Sequence, residues 1–260
     1  MARLLHAPFC EFSRCSLDSG YYAACSGLKT QSAALEIVAN NVANVSTAGY
    51  RGQLPAFESL IAQTAGPAMN GWERLANEQS MMNGTRLDLG EGNLERTGSP
   101  LNFAIEGPGF FAVQSKAGTA YTRNGSFHVS AAGQLVTAAG DAVVGETGPI
   151  TIPSGEVSVS KDGTVSVNGA VAGKLRIIEF STNTPLEPLG ESYYSAPAKS
   201  AQPAAASSVR QGMLESSNVS PVAAMVSLIS AQRQAEMMER ALGEFYADFN
   251  RIATDDLPRV

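Results

Sequence analysis

The chain has 260 residues, a formal net charge of −6 and a charged fraction of 16%, well under the usual quarter, with 25 glycines. A sequence pI near 5.0 leaves no basic footprint for phosphates, so nucleic acid is excluded as a partner. No run approaches the roughly 18 apolar residues of a spanning helix, which argues against membrane insertion. Three cysteines make no disulfide framework, and with two histidines the C-x4-C spacing of Cys10 and Cys15 does not make a metal site. No metal or other cofactor is expected.

In chain order, the first element is a helix over residues 20–45. Ala24, Leu28, Leu35, Val38, Val42 and Val45 recur at steps of four and three, a heptad seam interrupted by Gln31. Asn40, Asn41 and Asn44 either set register in that seam or simply end the helix before Gly49, since Asn and Gly accept the left-handed conformation that stops helices. Cys25 lies beside the seam as a small apolar residue. A mixed connector follows, holding Trp72, the one tryptophan, and Asn83-Gly84 as a turn signal.

The middle is β-rich. Phe110 and Ala112, then Phe127 and Val129, then Val157, Val159, Val165 and Val167 recur at period two. Asp162-Gly163, between two such runs, predicts a hairpin. Ser195 to Ser208, rich in Ala, Ser and Pro, reads as a linker or extended return strand. Ser217, Asn218 or Ser220 then caps a second long helix whose first turn takes Pro221. Met225, Leu228, Ala235, Leu242, Phe245, Phe249 and Ile252 give it an apolar face, with Gln232 as the polar interruption. The tail from Thr254 frays.

Signatures of catalysis are poor. Gly107-Pro108-Gly109 lacks the third glycine of a dinucleotide loop and precedes a Phe-Phe strand rather than a helix. No GxSxG, HExxH, CxxC or GxxxxGK pattern occurs, and His128 falls at a surface-facing position of its strand. An enzyme is not expected. A secreted β-rich carbohydrate-binding module shares the Gly-punctuated strands, but it needs clustered exposed aromatics.

Ala39 to Arg51 resembles the ANNLANxxTxGF/Y-K/R segment near the start of bacterial flagellar axial proteins, and Gln211 to Val219 resembles their QGxLExSNV segment near the end. Between them, Gly107 to Val113, Tyr121 to Phe127 and Gly133 to Thr137 are similar to the GxGFF, YTRxGxF and GxLVT elements of rod and hook proteins. Within the family, the length and the runs Gly148 to Pro153, Asp162 to Ser166 and Gly173 to Ile177 look most like the proximal-rod members, with distal-rod or short hook-type members as runner-up. Ala48, Ala224 and Ala235 depart from the family pattern.

The resemblance implies a structural subunit of the basal-body rod in the periplasmic space, exported through the type III apparatus without a cleaved signal. It would polymerise through its terminal helices with other proximal and distal rod subunits and transmit torque from motor to hook. The expected fold class is α+β: long N- and C-terminal helices pairing as a coiled-coil-like domain, with a central β-rich domain. The expected organisation is a non-native extension over 1–17, an axial helix and motif over 18–50, a connector over 51–106, a β body over 107–194, a linker over 195–208 and a C-terminal motif and helix over 209–260. The assembly interface is expected at Leu28, Leu35, Val38, Asn40, Asn41, Val42, Asn44, Gly49 and Tyr50 from the first end. From the second end it takes Gln211, Gly212, Leu214, Glu215, Ser217, Asn218, Val219, Met225, Leu228, Ile229, Gln232 and Leu242.

Overall fold

The structure, a computed structural model, describes residues 14–59, 80–116, 118–181, 184–190, 192–204 and 206–255. His6, Cys10 and Trp72 lie outside the described residues, as does Asp256 onward; so do the side chains of Ala24, Cys25, Phe245, Phe249 and Ile252. The chain divides into two units. One comprises Met1–Ala39, Pro55–Thr85 and Met225–Val260, the other Asn40–Leu54 and Arg86–Ala224.

The second unit is built on β structure. Its central strand, Gly109–Ser115, pairs along one edge with Gly118–Thr122. Its other edge is shared: Ile177–Glu179 takes Gly109 to Phe111, and Ala142–Gly145 takes Val113 and Gln114. Splitting one edge between two strands curls the sheet, which continues through Leu135–Thr137 to Phe127–Val129 on one side and through Tyr193–Ser195 to Glu187–Gly190 on the other. Side chains of a strand alternate between faces, and here both faces are covered. Phe111 and Val113 enter a core with Phe103, Ile105, Leu135, Val143, Val165 and Val209, while Phe110 and Ala112 enter a second one with Tyr121, Ile178 and Tyr194. The Phe-Phe pair is therefore one aromatic for each core, and the inside-outside alternation expected of this strand is replaced by burial from Gly109 to Val113, with Gln114 exposed. Val129 follows the surface instead, 38% exposed.

The Asp162-Gly163 hairpin is present: Val157, Ser158 and Val159 pair with Val167, Ser166 and Val165, and Gly163 has φ 82°. By contrast Asn83-Gly84 makes no turn. It lies within the strand Ser80–Leu87, paired with Gln53–Ser59, where ladder bonds outweigh the local preference of Asn-Gly. After Tyr193–Ser195 comes a single 3-10 turn, Ala198–Ser200, and then the short strand Gln202–Pro203, which adds to Ile177–Glu179.

The first unit holds most of two α-helices, Arg14–Ala43 and Pro221–Asp255. The expected fold class needs correction. Against these two helices stand nineteen described strands with a curled sheet at their centre, so the fold is mainly β and the helices do not form a coiled-coil domain. The seam fails for a physical reason: small and polar residues dilute it. A Cβ at Gly27 would stand 2.9 Å from Met238 Cε, and Gln31 Nε2 donates to the Ala231 carbonyl (3.4 Å) and to Gln234 Oε1 (2.9 Å). Among the described residues burial falls on Ile37, Ala224 and Ala231, whereas Met225, Ile229 and Gln232, drawn into the seam from sequence, are exposed. A seam of large interlocking side chains, which a coiled coil requires, is not made.

Candidate functional site: a buried charged clasp and an exposed apolar helix face

The N-terminal helix ends in a run of short hydrogen bonds. Asn44 N donates to the Asn40 carbonyl at 3.1 Å, Thr47 N to that of Asn44 at 3.1 Å, and Tyr50 N to that of Thr47 at 3.3 Å. Side chains reinforce this: Asn44 Nδ2 donates to the Asn40 carbonyl and Thr47 Oγ1 to Asn44 Oδ1. Gly49 then turns the chain with φ 68°, and a Cβ there would stand 2.3 Å from Asn124 N. Only glycine combines that left-handed backbone with that approach.

The turn delivers Arg51 into the interior. Arg51, Arg123 and Glu215 are each 1% exposed. Arg51 Nη2 lies 2.9 Å from Glu215 Oε1, and Arg123 Nη1 lies 3.2 Å from Glu215 Oε2. One carboxylate thus bridges two guanidiniums, leaving the trio with one net positive charge. Backbone carbonyls take up part of the excess: Arg51 Nη1 donates to Gly90, Arg123 Nη1 to Ile105 at 3.3 Å and Arg123 Nη2 to Gly107. The face of Phe110 lies 5.1 Å from the Arg123 guanidinium carbon, a cation–π arrangement. Arg51 Nε and Arg123 Nε are buried without a hydrogen-bond partner. Burial pushes the Arg123 guanidinium down to about 10, Glu215 pulling it back and Arg51 pushing it further, so it stays charged at neutral pH.

Glu215 is held in turn. Its Oε1 accepts from Gly92 N (2.8 Å) and its carbonyl from Gly49 N (2.8 Å). Tyr194 Oη accepts from Arg51 N at 2.9 Å, and burial pushes that phenol up to about 12; burial also raises Tyr50. Asn41 Oδ1 accepts from Tyr50 Oη and Gln53 N, while Asn41 Nδ2 donates to the Gln53 carbonyl. Asn218 Oδ1 accepts from Gly52 N at 2.7 Å, and its Nδ2 donates to the carbonyls of Asp88 and Gly90, both at 3.0 Å. The side chain expected to cap a helix instead braces two loops.

Of the residues expected at an assembly interface, the structure gathers Asn41, Gly49, Tyr50, Glu215 and Asn218 into this clasp. Gln211 lies nearby in sequence but braces the hairpin, donating to the Pro100 and Val157 carbonyls and accepting from Val159 N. Gly212, at φ 75°, turns the chain between the strands Ser208–Gln211 and Met213–Glu215, and its carbonyl accepts from Thr97 N and Gly98 N. Leu214, Ser217 and Val219 are half-buried beside it, as are Asn44, Val42, Val38, Leu35 and Leu28 along the first helix, and Leu228 and Leu242 along the second; Asn40 is exposed. Sequence reasoning missed Arg51, Arg123 and Tyr194 as site residues. The available signal was the single charge in each of Gly-Tyr-Arg, Tyr-Thr-Arg and Leu-Glu-Ser within a weakly charged chain.

A different surface lies on the C-terminal helix. Val222, Met225, Val226 and Ile229 recur at three- and four-residue steps and are 50–73% exposed, with Met237 and Tyr246 also open farther along. Elsewhere, a hollow of about 350 Å³ is lined by Thr122, Asn124, Thr137 and Tyr193. Three of its hydroxyls are engaged, Thr122 Oγ1 with the Ser192 carbonyl and Thr137 Oγ1 with Tyr193 Oη. Among the described residues no group of three or more His, Cys, Asp or Glu side chains is placed to hold a metal, and no helix is long and apolar enough to cross a membrane.

The segments that meet at the clasp are those on which known proteins match. Residues 22–51 match the family described as flagella basal body rod protein, 104–167 the flagellar hook protein FlgE/F/G D1 domain, and 210–242 the flagellar basal body rod FlgEFG protein C-terminal region. The flagellar basal-body rod protein FlgF of Caulobacter vibrioides is 33% identical over 250 residues, covering 94% of this chain and 100% of its own length. The chain belongs to the flagellar basal-body rod protein family. The FlgG rod protein of Agrobacterium fabrum is also 33% identical, over 84% of this chain and 92% of its own length, and that of Bacillus subtilis 30%, over 82% and 89%. The family's N-terminal and C-terminal regions each supply one charge of the clasp, Arg51 and Glu215, and the D1 region supplies Arg123.

Proposed function

We propose that this chain is a structural subunit of the bacterial flagellar basal-body rod, acting by assembly with other rod subunits and not by catalysis. The observation that carries this reading is family membership across nearly the whole chain. The exposed apolar stripe at Val222, Met225, Val226 and Ile229 supports a subunit-to-subunit surface on the C-terminal helix. Burying such a stripe against another subunit is favourable at roughly 25 cal/mol per Å² of apolar surface. A head-to-tail interface that does not close on itself generates a helical filament, which is the geometry of a rod. Export through the flagellar type III apparatus without a cleaved signal, and torque transmission through the assembled rod, complete the proposal.

Relatives named FlgF and FlgG match at equal identity, which supports a proximal-rod or a distal-rod position alike, and the coverage of one whole FlgF relative supports the proximal one. Electron microscopy of basal bodies from a clean deletion strain tests the reading. Loss of rod and hook supports it; intact hook-basal bodies overturn it.

A further inference from the structure

We propose that residues 208–219 form a latch that closes the β unit last, and that its opening is a cooperative event separable from unfolding of the central sheet. The strand Ser208–Gln211 is the ladder partner of Phe103–Glu106, pairing Ser208 with Glu106, Val209 with Ile105, Arg210 with Ala104 and Gln211 with Phe103. Met213–Glu215 is likewise the partner of Leu94–Arg96. Val209, 2% exposed, plugs the first core, and Glu215 is the one carboxylate paired with Arg51 and Arg123 among the described residues. Asn218 ties down Gly52, Asp88 and Gly90.

The ladder, ion-pair and Asn218 contacts span about a hundred residues or more, from 92 between Arg123 and Glu215 to 166 between Gly52 and Asn218, while Val209 N on the Lys161 carbonyl and Gln211 on Val157 and Val159 reach back about fifty. Contacts of such separation form late, because loop closure precedes them. Among the described residues, a chain made from its N-terminus has no carboxylate in contact with its two guanidiniums until the latch arrives, and unpaired buried charge is strongly disfavoured. The central strands do not share this dependence: Gly109–Ser115 and Gly118–Thr122 pair with each other across a two-residue gap in sequence. The latch therefore makes completion of the chain a condition for a closed subunit. This inference concerns the isolated molecule and holds or fails independently of the rod reading.

Hydrogen exchange followed by mass spectrometry on the full chain tests it, comparing wild type with Glu215→Gln, which keeps the shape and loses the charge. Amides of 94–96, 103–106, 208–215 and of Gly49 and Gly52 are expected to exchange together, and to speed up in Glu215→Gln by roughly a hundredfold or more. Gly109–Ser115 and Gly118–Thr122 stay at wild-type rates. Should Glu215→Gln fail to fold, Asn218→Ala puts the same question, with about a tenfold rise in the same segments. Exchange of the latch only together with the central strands, or of 208–215 without 94–96 and 103–106, overturns the proposal.

Discussion

The clasp and the C-terminal helix face are opposites in how they use side chains. Around Glu215 charged and polar groups are buried and bonded within the subunit, whereas at Met225 and Ile229 large apolar groups face water. Each violates the usual partition of polar outside and apolar inside. The first violation is compensated in large part within the subunit, because a carboxylate and several backbone carbonyls face the two guanidiniums, although Arg51 Nε and Arg123 Nε stay without a hydrogen-bond partner. The second is not compensated among the described residues, and the proposed subunit contact would cover that apolar stripe. Substitutions at the clasp should therefore open the subunit's own latch, while substitutions on the helix face should leave it closed and unable to assemble.

The largest effect is expected from Glu215→Ala. It leaves Arg51 and Arg123 buried without their anion, and the loss of latch stability, read from hydrogen exchange of 94–96, 103–106 and 208–215, should be about 3–5 kcal/mol. Gly49→Ala comes next: the added methyl meets Asn124 N and the Arg123 carbonyl carbon in a left-handed turn, at about 1–3 kcal/mol by the same measurement.

Tyr194→Phe removes one hydrogen bond, to Arg51 N, and should lose about 1 kcal/mol at neutral pH. It also changes the alkaline limb. The folded phenol ionises near 12 where an ordinary one ionises near 10, so the native state holds the proton longer. The stability this represents is present below pH 10 and is lost as pH rises from 10 to about 12. Unfolding measured across that window should be less pH-dependent in Tyr194→Phe than in wild type. The reverse ordering would mean that Tyr194 is not buried as described.

On the helix face, Met225→Ser should change stability by no more than about 0.5 kcal/mol. At the far end of the scale is Arg210→Ala, which breaks an ion pair to Glu106 at the surface and should leave the urea midpoint in place. Comparing Arg210→Ala with Arg51→Ala separates burial from charge as the origin of the clasp's strength.

Much of this was legible in the sequence where the information is local. The two helices, the Asp162-Gly163 hairpin and the surface position of His128 follow from periodicity and turn chemistry. What was not legible depends on partners far along the chain. The periodic steps at Leu28, Leu35, Met225 and Leu228 show that each helix has an apolar face but not which face is covered, and the coiled-coil expectation failed there. Phe110 read as an inward residue with an outward neighbour, because nothing local reveals a second core on the other side of the strand. Asn83-Gly84 has the composition of a turn, and its strand is imposed by a partner some thirty residues earlier. Arg51, Arg123 and Glu215 stood within the very motifs that mark the family. Their meeting at one point required the fold.

The most direct test of the central claim is electron microscopy of basal bodies from a deletion strain complemented with the Met225→Asp/Ile229→Asp chain, after its urea midpoint has been matched to wild type. The account predicts a folded subunit that fails to support a complete rod. Complete hook-basal bodies carrying this doubly charged helix face would contradict it.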